Sequence, residues 1–293
     1  MNFATGLNEP EGPVLLDDGS WLVVEMGPGS GHVTHLSADG RSRRIIATTG
    51  RPNGLAIDGR NLIWVAESQH STLLRLTFDG ASEVFLADCD GVPLRFPNDL
   101  AFGPDGALYM TDTGIVISDF APNNRIVSNW MDLPSDGKVF RIDTTTKEIT
   151  LIDSGFRFTN GIAFDSEGHL YVNETFTGNV YRYRQLAASL GPRELFANVL
   201  SSPVSATLRG PDGMKFGLDG NLYVVVWGQG DVTVLDPQGN VIRRIPTPGK
   251  MPTNIAFGPP HSRMFYVTEI ETGALVAFAA DTDGLPLHMG LID

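Results

Sequence analysis

The sequence predicts an all-β fold, a six-bladed β-propeller with four antiparallel strands per blade, and three observations predict it. One short phrase recurs six times along the 293 residues, each copy is followed by a turn and further short apolar strands, and helix signals are nearly absent. Gly (33) and Pro (19) are plentiful, as suits a chain that turns often.

The phrase is a polar anchor, a small residue and an alternating apolar strand. It reads Pro52-Asn53-Gly54-Leu55-Ala56-Ile57, then Pro97-Asn98-Asp99-Leu100-Ala101-Phe102, then Thr159-Asn160-Gly161-Ile162-Ala163-Phe164. It returns as Pro211-Asp212-Gly213-Met214-Lys215-Phe216 and, shortened, as Thr253-Asn254-Ile255-Ala256-Phe257. The first copy, Pro10-Glu11-Gly12-Pro13-Val14-Leu15, diverges most. The anchors at 11, 53, 98, 160, 212 and 254 are spaced by 42, 45, 62, 52 and 42 residues.

A turn and a second strand follow each phrase, as in Asp105-Gly106 before Leu108-Tyr109-Met110 and Asp219-Gly220 before Leu222-Tyr223-Val224. Asp-Gly between apolar runs marks a hairpin, because the turn needs positive φ. Third strands are read at 33–36, 73–76, 139–142, 180–183, 232–235 and 275–278, and fourth strands follow in most units. Four strands in roughly 40–45 residues is the signature of a propeller blade. Phe3-Ala4-Thr5-Gly6-Leu7 resembles the fourth strands and is expected to pair with the last blade, closing the ring. No domain boundary is visible, so residues 1–293 read as one propeller. The only helical turn expected is Arg184 to Ser189. The long steps place insertions at Ile115 to Asp136 and Ser201 to Arg209, expected as loops over one face.

Lys plus Arg total 21 against 34 for Asp plus Glu, a net charge of −13. That balance argues against nucleic acid and against an anionic membrane surface, both of which need basic faces. No apolar run is long enough to span a bilayer. No signal peptide is visible at the N-terminus, and a cytoplasmic protein is expected. The single cysteine, Cys89, excludes a disulfide framework and a Cys-based zinc site. Its neighbours Asp88 and Asp90 disfavour a thiolate.

First strands line a propeller's central channel, so the anchors form one ring: Glu11, Asn53, Asn98, Asn160, Asp212 and Asn254. All six carry side-chain oxygens, which together suit a hard cation such as Ca²⁺. Asn and Asp before Gly are also ordinary turn residues. Register separates the readings: Gly-Pro-Asp-Gly at 103–106 joins two strands, whereas at 210–213 it opens a first strand. Glu11 is not a turn former.

Glu11-Gly12-Pro13, Asn98-Asp99, Thr159-Asn160-Gly161-Ile162 and Pro211-Asp212-Gly213-Met214 resemble, in order, the four metal-site motifs of the SMP-30/gluconolactonase family. The resemblance spans all six units. It implies that Glu11, Asn160 and Asp212 bind one divalent metal, usually calcium, with Asn98 as a further ligand or substrate contact. An all-oxygen ring also admits Mg²⁺, Mn²⁺ or Zn²⁺. Lactone ring opening is the implied reaction. The metal would polarise the carbonyl, and water would be activated by the metal or by a carboxylate, with Asp212 the candidate base and Asn98 orienting water or substrate. The sugar lactonases often carry Arg two residues before the blade-three Asn; here that residue is Phe96, and Arg95 lies one further back. Arg95, Asn53, Phe96 and Trp227 are the expected substrate contacts, and with Phe156 and Phe158 the aromatics make a greasier mouth than a sugar needs.

Alternatives are another metal-dependent propeller hydrolase, acting on an ester or organophosphate, and a non-enzymatic binding propeller. Two carboxylates on the axis count against the last. A condensing propeller without metal would place apolar residues in the ring. No Gly-x-Ser-x-Gly elbow supports a serine hydrolase. Of the histidines, His70 alone is read near the mouth. Glu25, Asp112, Glu174 and Glu269 recur after second strands, as turn residues or, in the favoured reading, as a second polar layer around the metal. Glu11→Ala and Asp212→Ala are expected to lose bound metal while keeping the circular dichroism of a folded sheet protein. Unchanged metal content in both variants removes the site from the ring.

Overall fold

A computed structural model of the chain describes residues 1–187, 189–205 and 207–290. It contains six four-stranded antiparallel sheets arranged as the blades of a propeller, plus one two-residue hairpin, Asp88–Cys89 with Val92–Pro93. The first strands are Pro10–Leu15, Pro52–Ile57, Pro97–Phe102, Thr159–Phe164, Gly210–Phe216 and Pro252–Phe257. Each runs outward through a second and third strand to a fourth. In blade six the fourth strand is Asn2–Thr5, paired antiparallel to Ala274–Ala279 with Ala4 opposite Leu275 and Thr5 opposite Ala274. The N-terminus therefore closes the ring as expected, and no blade edge is left open between blades six and one.

Alternation of apolar residues buries both faces of most inner strands. Trp64-Val65-Ala66 of blade two and Val224-Val225-Val226 of blade five are fully buried, half packing toward each neighbouring blade. Outer strands such as Val241–Pro246 are largely exposed.

All six first strands carry a bulge at the anchor phrase. In blade two Pro52 faces Glu67 and Leu55 faces Val65, so two residues, Asn53 and Gly54, oppose one. Blades three and four repeat this at Asn98-Asp99 and Asn160-Gly161. A bulge locally turns the strand and re-aims its side chains. The small residue after the anchor is forced by crowding. A Cβ on Gly12 would lie 2.7 Å from the carbonyl oxygen of Asn53, and one on Gly54 would lie 2.6 Å from that of Asn98. Gly161 meets the Asp212 carbonyl oxygen in the same way, whereas Gly213 meets the side chain and Cα of Asn254. Each glycine thus abuts the first strand of the next blade.

Polar side chains bind adjacent blades around the axis. Thr111 Oγ1 donates to the Asn160 carbonyl at 2.6 Å, Thr175 Oγ1 to Pro211 at 2.8 Å and Thr253 Oγ1 to Pro10 at 2.8 Å.

Helix occurs where the sequence signals were silent. Ile117–Phe120 is α-helical, and Pro122–Asn124 and Trp130–Asp132 are 3₁₀ turns, all in the first insertion. The expected turn at 184–189 is instead pinched by a bridge between Gln185 and Leu190, with Ala188 outside the described residues. Among the described residues no helix is long and apolar enough to cross a membrane.

Gly54→Ala is expected to cost roughly 1–3 kcal/mol in urea unfolding, since the two nearest atoms the added methyl meets are backbone. A variant as stable as the parent would show that the axis is looser than this packing requires.

Candidate active site

A cavity of about 420 Å³ opens at one mouth of the channel. Five of the six anchors line it: Glu11, Asn53, Asn98, Asn160 and Asp212. The sixth, Asn254, belongs to a chamber of about 480 Å³ at the opposite end, and its Nδ2 donates to Glu11 Oε1 at 3.0 Å. Pro252 faces Glu269 and Ile255 faces Val267, the spacing of the other blades, so Thr253 stands at the anchor position and lines the cavity, and Asn254 takes the place of the small residue that follows the anchor elsewhere.

The floor is electrostatically incomplete. Glu11 is 3% exposed, and its Oε2 has no hydrogen-bond partner. Asn160 donates from Nδ2 to Thr175 Oγ1 at 3.2 Å, leaving its buried Oδ1 unpartnered. Burial, followed by the charges of Asp212 and Asp99, pushes the Glu11 carboxyl well above the ordinary range. Asp212 is raised too, by burial and then Asp99, while the Asn160 amide and the Arg51 guanidinium work against the rise. Buried oxygens without donors, beside carboxylates that repel one another, call for a cation. Among the described residues no three His, Cys, Asp or Glu side chains group in metal-binding geometry. The ring instead offers two carboxylates and three amides, an all-oxygen set of the kind Ca²⁺ takes.

Two residues at the axis were missed in the sequence. Asp99 stands where four other copies have glycine, is 3% exposed and has an unpartnered Oδ2. It faces the far chamber with Lys215, whose ammonium opposes the burial that raises Asp99. Arg51 lines the cavity, donates from Nη1 to Ser68 Oγ at 3.0 Å, and lies over the Phe96 ring with its guanidinium carbon 5.4 Å from the centroid. Its signal was present: Arg51 precedes Asn53 by two residues, the place Phe96 holds before Asn98. Arg95, expected at the substrate, is exposed, donates from Nη1 to the Gly114 carbonyl at 3.2 Å and does not line the cavity. Its backbone N–H is tied to Asp112 Oδ2 at 2.7 Å, which turns the side chain outward.

The carboxylates after the second strands serve the loops and form no polar layer around the ring. Asp112 also accepts from the Phe96 and Gly114 amides; Glu67 accepts from Arg51 N at 2.6 Å, Glu174 from Arg157 N at 2.8 Å, Glu25 from Asn8 N at 2.9 Å and Glu269 from Met251 N at 3.0 Å. Each fixes the segment entering its own blade's first strand. Blade five alone has an apolar residue in this register: Val226, opposite Pro211, where the others have Glu or Asp, and Trp227 follows it in the place held by Met26, Ser68, Thr113, Thr175 and Ile270. Trp227 lines the cavity.

Phe96, Phe158, Phe120, Leu208 and Trp227 wall the cavity. Phe158 is held at φ 69° and Glu9 at φ 51°, each two residues before an anchor, a costly backbone concentrated at the mouth. The insertion at 115–136 is an ordered roof. Trp130 packs on Phe176 at 4.7 Å and Phe120 on Phe158 at 4.8 Å, while Asn124 Nδ2 reaches Glu9 Oε1 at 2.5 Å and Arg157 Nη2 donates to the Met131 carbonyl. Phe156 packs in the blade core away from the mouth. His70 is tied to Glu67 at 3.1 Å and does not line the cavity. Burial and then Asp90 and Asp88 raise the Cys89 thiol, as its neighbours predict.

Fold and site together define a six-bladed propeller with an oxygen-lined axial cavity under an apolar roof. Residues 10–271 match the family model SMP-30/Gluconolactonase/LRE-like region, and the chain belongs to that family. It is 27% identical to diisopropyl-fluorophosphatase of Loligo vulgaris, over 94% of this chain and 90% of that one. It is 26% identical to gluconolactonase of Zymomonas mobilis, over 90% and 77%. Its fold is similar to that of regucalcin from Agrobacterium tumefaciens, a calcium-binding protein, with a TM-score of 0.74 at 19% identity over 97% and 94%.

A carboxyl raised in the folded state binds more protons there than in the unfolded chain, so stability falls as pH climbs from its ordinary value through the raised one. Chelated Asp212→Asn is therefore expected to melt a few degrees above the chelated parent at pH 8, with the gap closing as pH is lowered toward 4. Added Ca²⁺ should reverse the order at pH 8. A gap that does not change with pH would show that Asp212 carries no buried repulsion.

Proposed function

We propose that this chain is a metal-assisted hydrolase that opens small lactones. The observation that carries the reading is the pair of buried unpartnered oxygens, Glu11 Oε2 and Asn160 Oδ1, beside the raised carboxyl of Asp212. Glu11, Asn98, Asn160 and Asp212 would hold the ion, most simply Ca²⁺. When bound, it supplies a Lewis acid that polarises the lactone carbonyl and stabilises the oxyanion. The gluconolactonase similarity supports the reaction and the regucalcin similarity supports the ion.

The chain's own residues do the rest. Asn98 and Asn53, whose amides face the cavity, orient the carbonyl and the attacking water. Asp212 takes a proton from that water as its oxygen bonds to the acyl carbon. The ring C–O bond then breaks, the alkoxide oxygen takes up a proton, and a hydroxy-carboxylate and one net proton leave. Arg51, anchored by Ser68 and stacked on Phe96, keeps a positive charge near Asp212 and meets the developing negative charge. Phe96 and Trp227 contact the body of the substrate, and the roof excludes bulk water.

A second reading has one specific support, the near full-length similarity to diisopropyl-fluorophosphatase. The same ring would stabilise the oxyanion of water attack at phosphorus, so organophosphate hydrolysis is the companion assay. Proton release from a lactone panel is expected to vanish on chelation and return with Ca²⁺. Arg51→Met should lower kcat about 10- to 100-fold with bound metal retained. Turnover unaffected by exhaustive chelation, or absent from lactones and organophosphates alike with metal bound, would overturn the assignment.

A further inference from the structure

Resting on the hydrolase reading, we propose that the site selects lactones with an apolar side chain over polyhydroxylated sugar lactones, and that Trp227 and the 115–136 roof set this preference. The polar groups that reach the substrate lie on the floor. Those on the walls are already engaged: Thr175 Oγ1 donates to Pro211 and accepts from Asn160, Thr253 Oγ1 donates to Pro10, and Glu9 Oε1 accepts from Asn124. Arg51 Nε is the buried wall donor without a partner, and it sits low, beside the ring.

Above the floor the lining is mostly apolar, with Asn124 and Arg125 the polar residues that the exposed edge of the roof contributes. Phe96 and Phe158 come from the blade entries, Trp227 from blade five, Leu208 from the second insertion, and Ile117, Phe120 and Ile126 from the roof. The buried roof and wall residues form one cluster of their own, continuous from Phe96 through Phe158 and Phe176 to Trp130. Trp227 is the decisive residue. Where the second strand leaves its blade, the other five carry Met26, Ser68, Thr113, Thr175 and Ile270 in the place of Trp227, and blade five alone puts an aromatic ring there, on the cavity wall.

A ring-opening reaction needs polar contacts only at the ester group, which the floor supplies. A sugar lactone also carries hydroxyls that would meet these walls without partners, each losing about tenfold or more. An alkyl chain gains about fourfold for each carbon buried.

The test compares γ-butyrolactone, γ-nonalactone and glucono-δ-lactone on the calcium-loaded enzyme. The alkyl chain is expected to raise kcat/KM on the order of a hundredfold from the first to the second, and the sugar lactone should be the poorest. Trp227→Thr, which gives blade five the residue that blade four carries in this place, should collapse the nonalactone-to-butyrolactone ratio by about tenfold or more. Ile126→Asn, at the exposed rim of the roof, provides the same ratio in a variant with little packing to lose. Binding of 5-pentyl-2-pyrrolidinone, the amide counterpart of γ-nonalactone, is followed by thermal shift. Its binding without turnover of any lactone would sink the reaction and keep the apolar preference. Equal ratios in parent and both variants, or faster opening of gluconolactone than of nonalactone, would overturn the preference while leaving the hydrolase reading intact. Neither turnover nor pyrrolidinone binding overturns both.

Discussion

Everything at this site depends on how closely six strands meet at one axis. The backbone of each first strand approaches the next so nearly that Gly12, Gly54, Gly161 and Gly213 have no room for a methyl group. Without that approach the anchors would sit on a wide channel and face water individually. With it, their side chains converge on one small volume, and the bulge at each anchor fixes the direction in which they point. The lateral hydrogen bonds from Thr111, Thr175 and Thr253 run between blades and hold this spacing. Propeller closure by Asn2–Thr5 then keeps six rigid blades from splaying.

Convergence has an electrostatic cost, and the chain offsets part of it itself. Glu11 and Asp99 are buried and Asp212 is partly buried on or beside the axis, and each is raised. Arg51 stands on the mouth side and Lys215 on the far side, one opposing the rise of Asp212 and the other that of Glu11 and Asp99. Arg51 donates to Ser68 Oγ and Lys215 to the Met214 carbonyl. Of the oxygens left over, Glu11 Oε2 and Asn160 Oδ1 belong to residues of the mouth, where a ligand can arrive, and Asp99 Oδ2 to a residue of the far chamber. A frame this rigid keeps them facing one another even at that cost, because relaxing one anchor means moving a whole blade.

The repeat made most of this legible. A phrase recurring six times shows the strand order, the blade count and the ring, because position in the repeat maps directly onto position around the axis. The same logic shows why Arg51 was missed. It occupies the place before Asn53 that was considered only before Asn98, and attention to one blade led to Arg95, which the Asp112 carboxylate holds facing outward. The second-strand carboxylates misled for a related reason. Their recurrence is real, but its cause is the need of each entry loop for a hydrogen-bond acceptor, as Glu67 with Arg51 and Glu174 with Arg157 show. The roof had no repeat to be read against. Its short helix is stabilised by Phe120 and Trp130 packing on Phe158 and Phe176, contacts that are distant in sequence and silent in local propensity.

The insertions also explain why one face of the molecule carries the chemistry. Strands one and two are joined by tight turns such as Asp105-Gly106 and Asp219-Gly220, whose positive φ and short span leave no freedom for growth. These turns rim the end that holds the far chamber. The links from strand two to three, and from each blade to the next, lie at the mouth, and both insertions, 115–136 and 201–209, arise there. Because the anchors sit at the start of each first strand, they lie at this same end. The floor is therefore set by the repeat and is common to all blades, whereas the walls come from segments free to differ. A chain of this architecture can keep its ion-binding oxygens and change what it accepts by altering a few residues above them, as blade five does in placing Trp227 where blade four has Thr175.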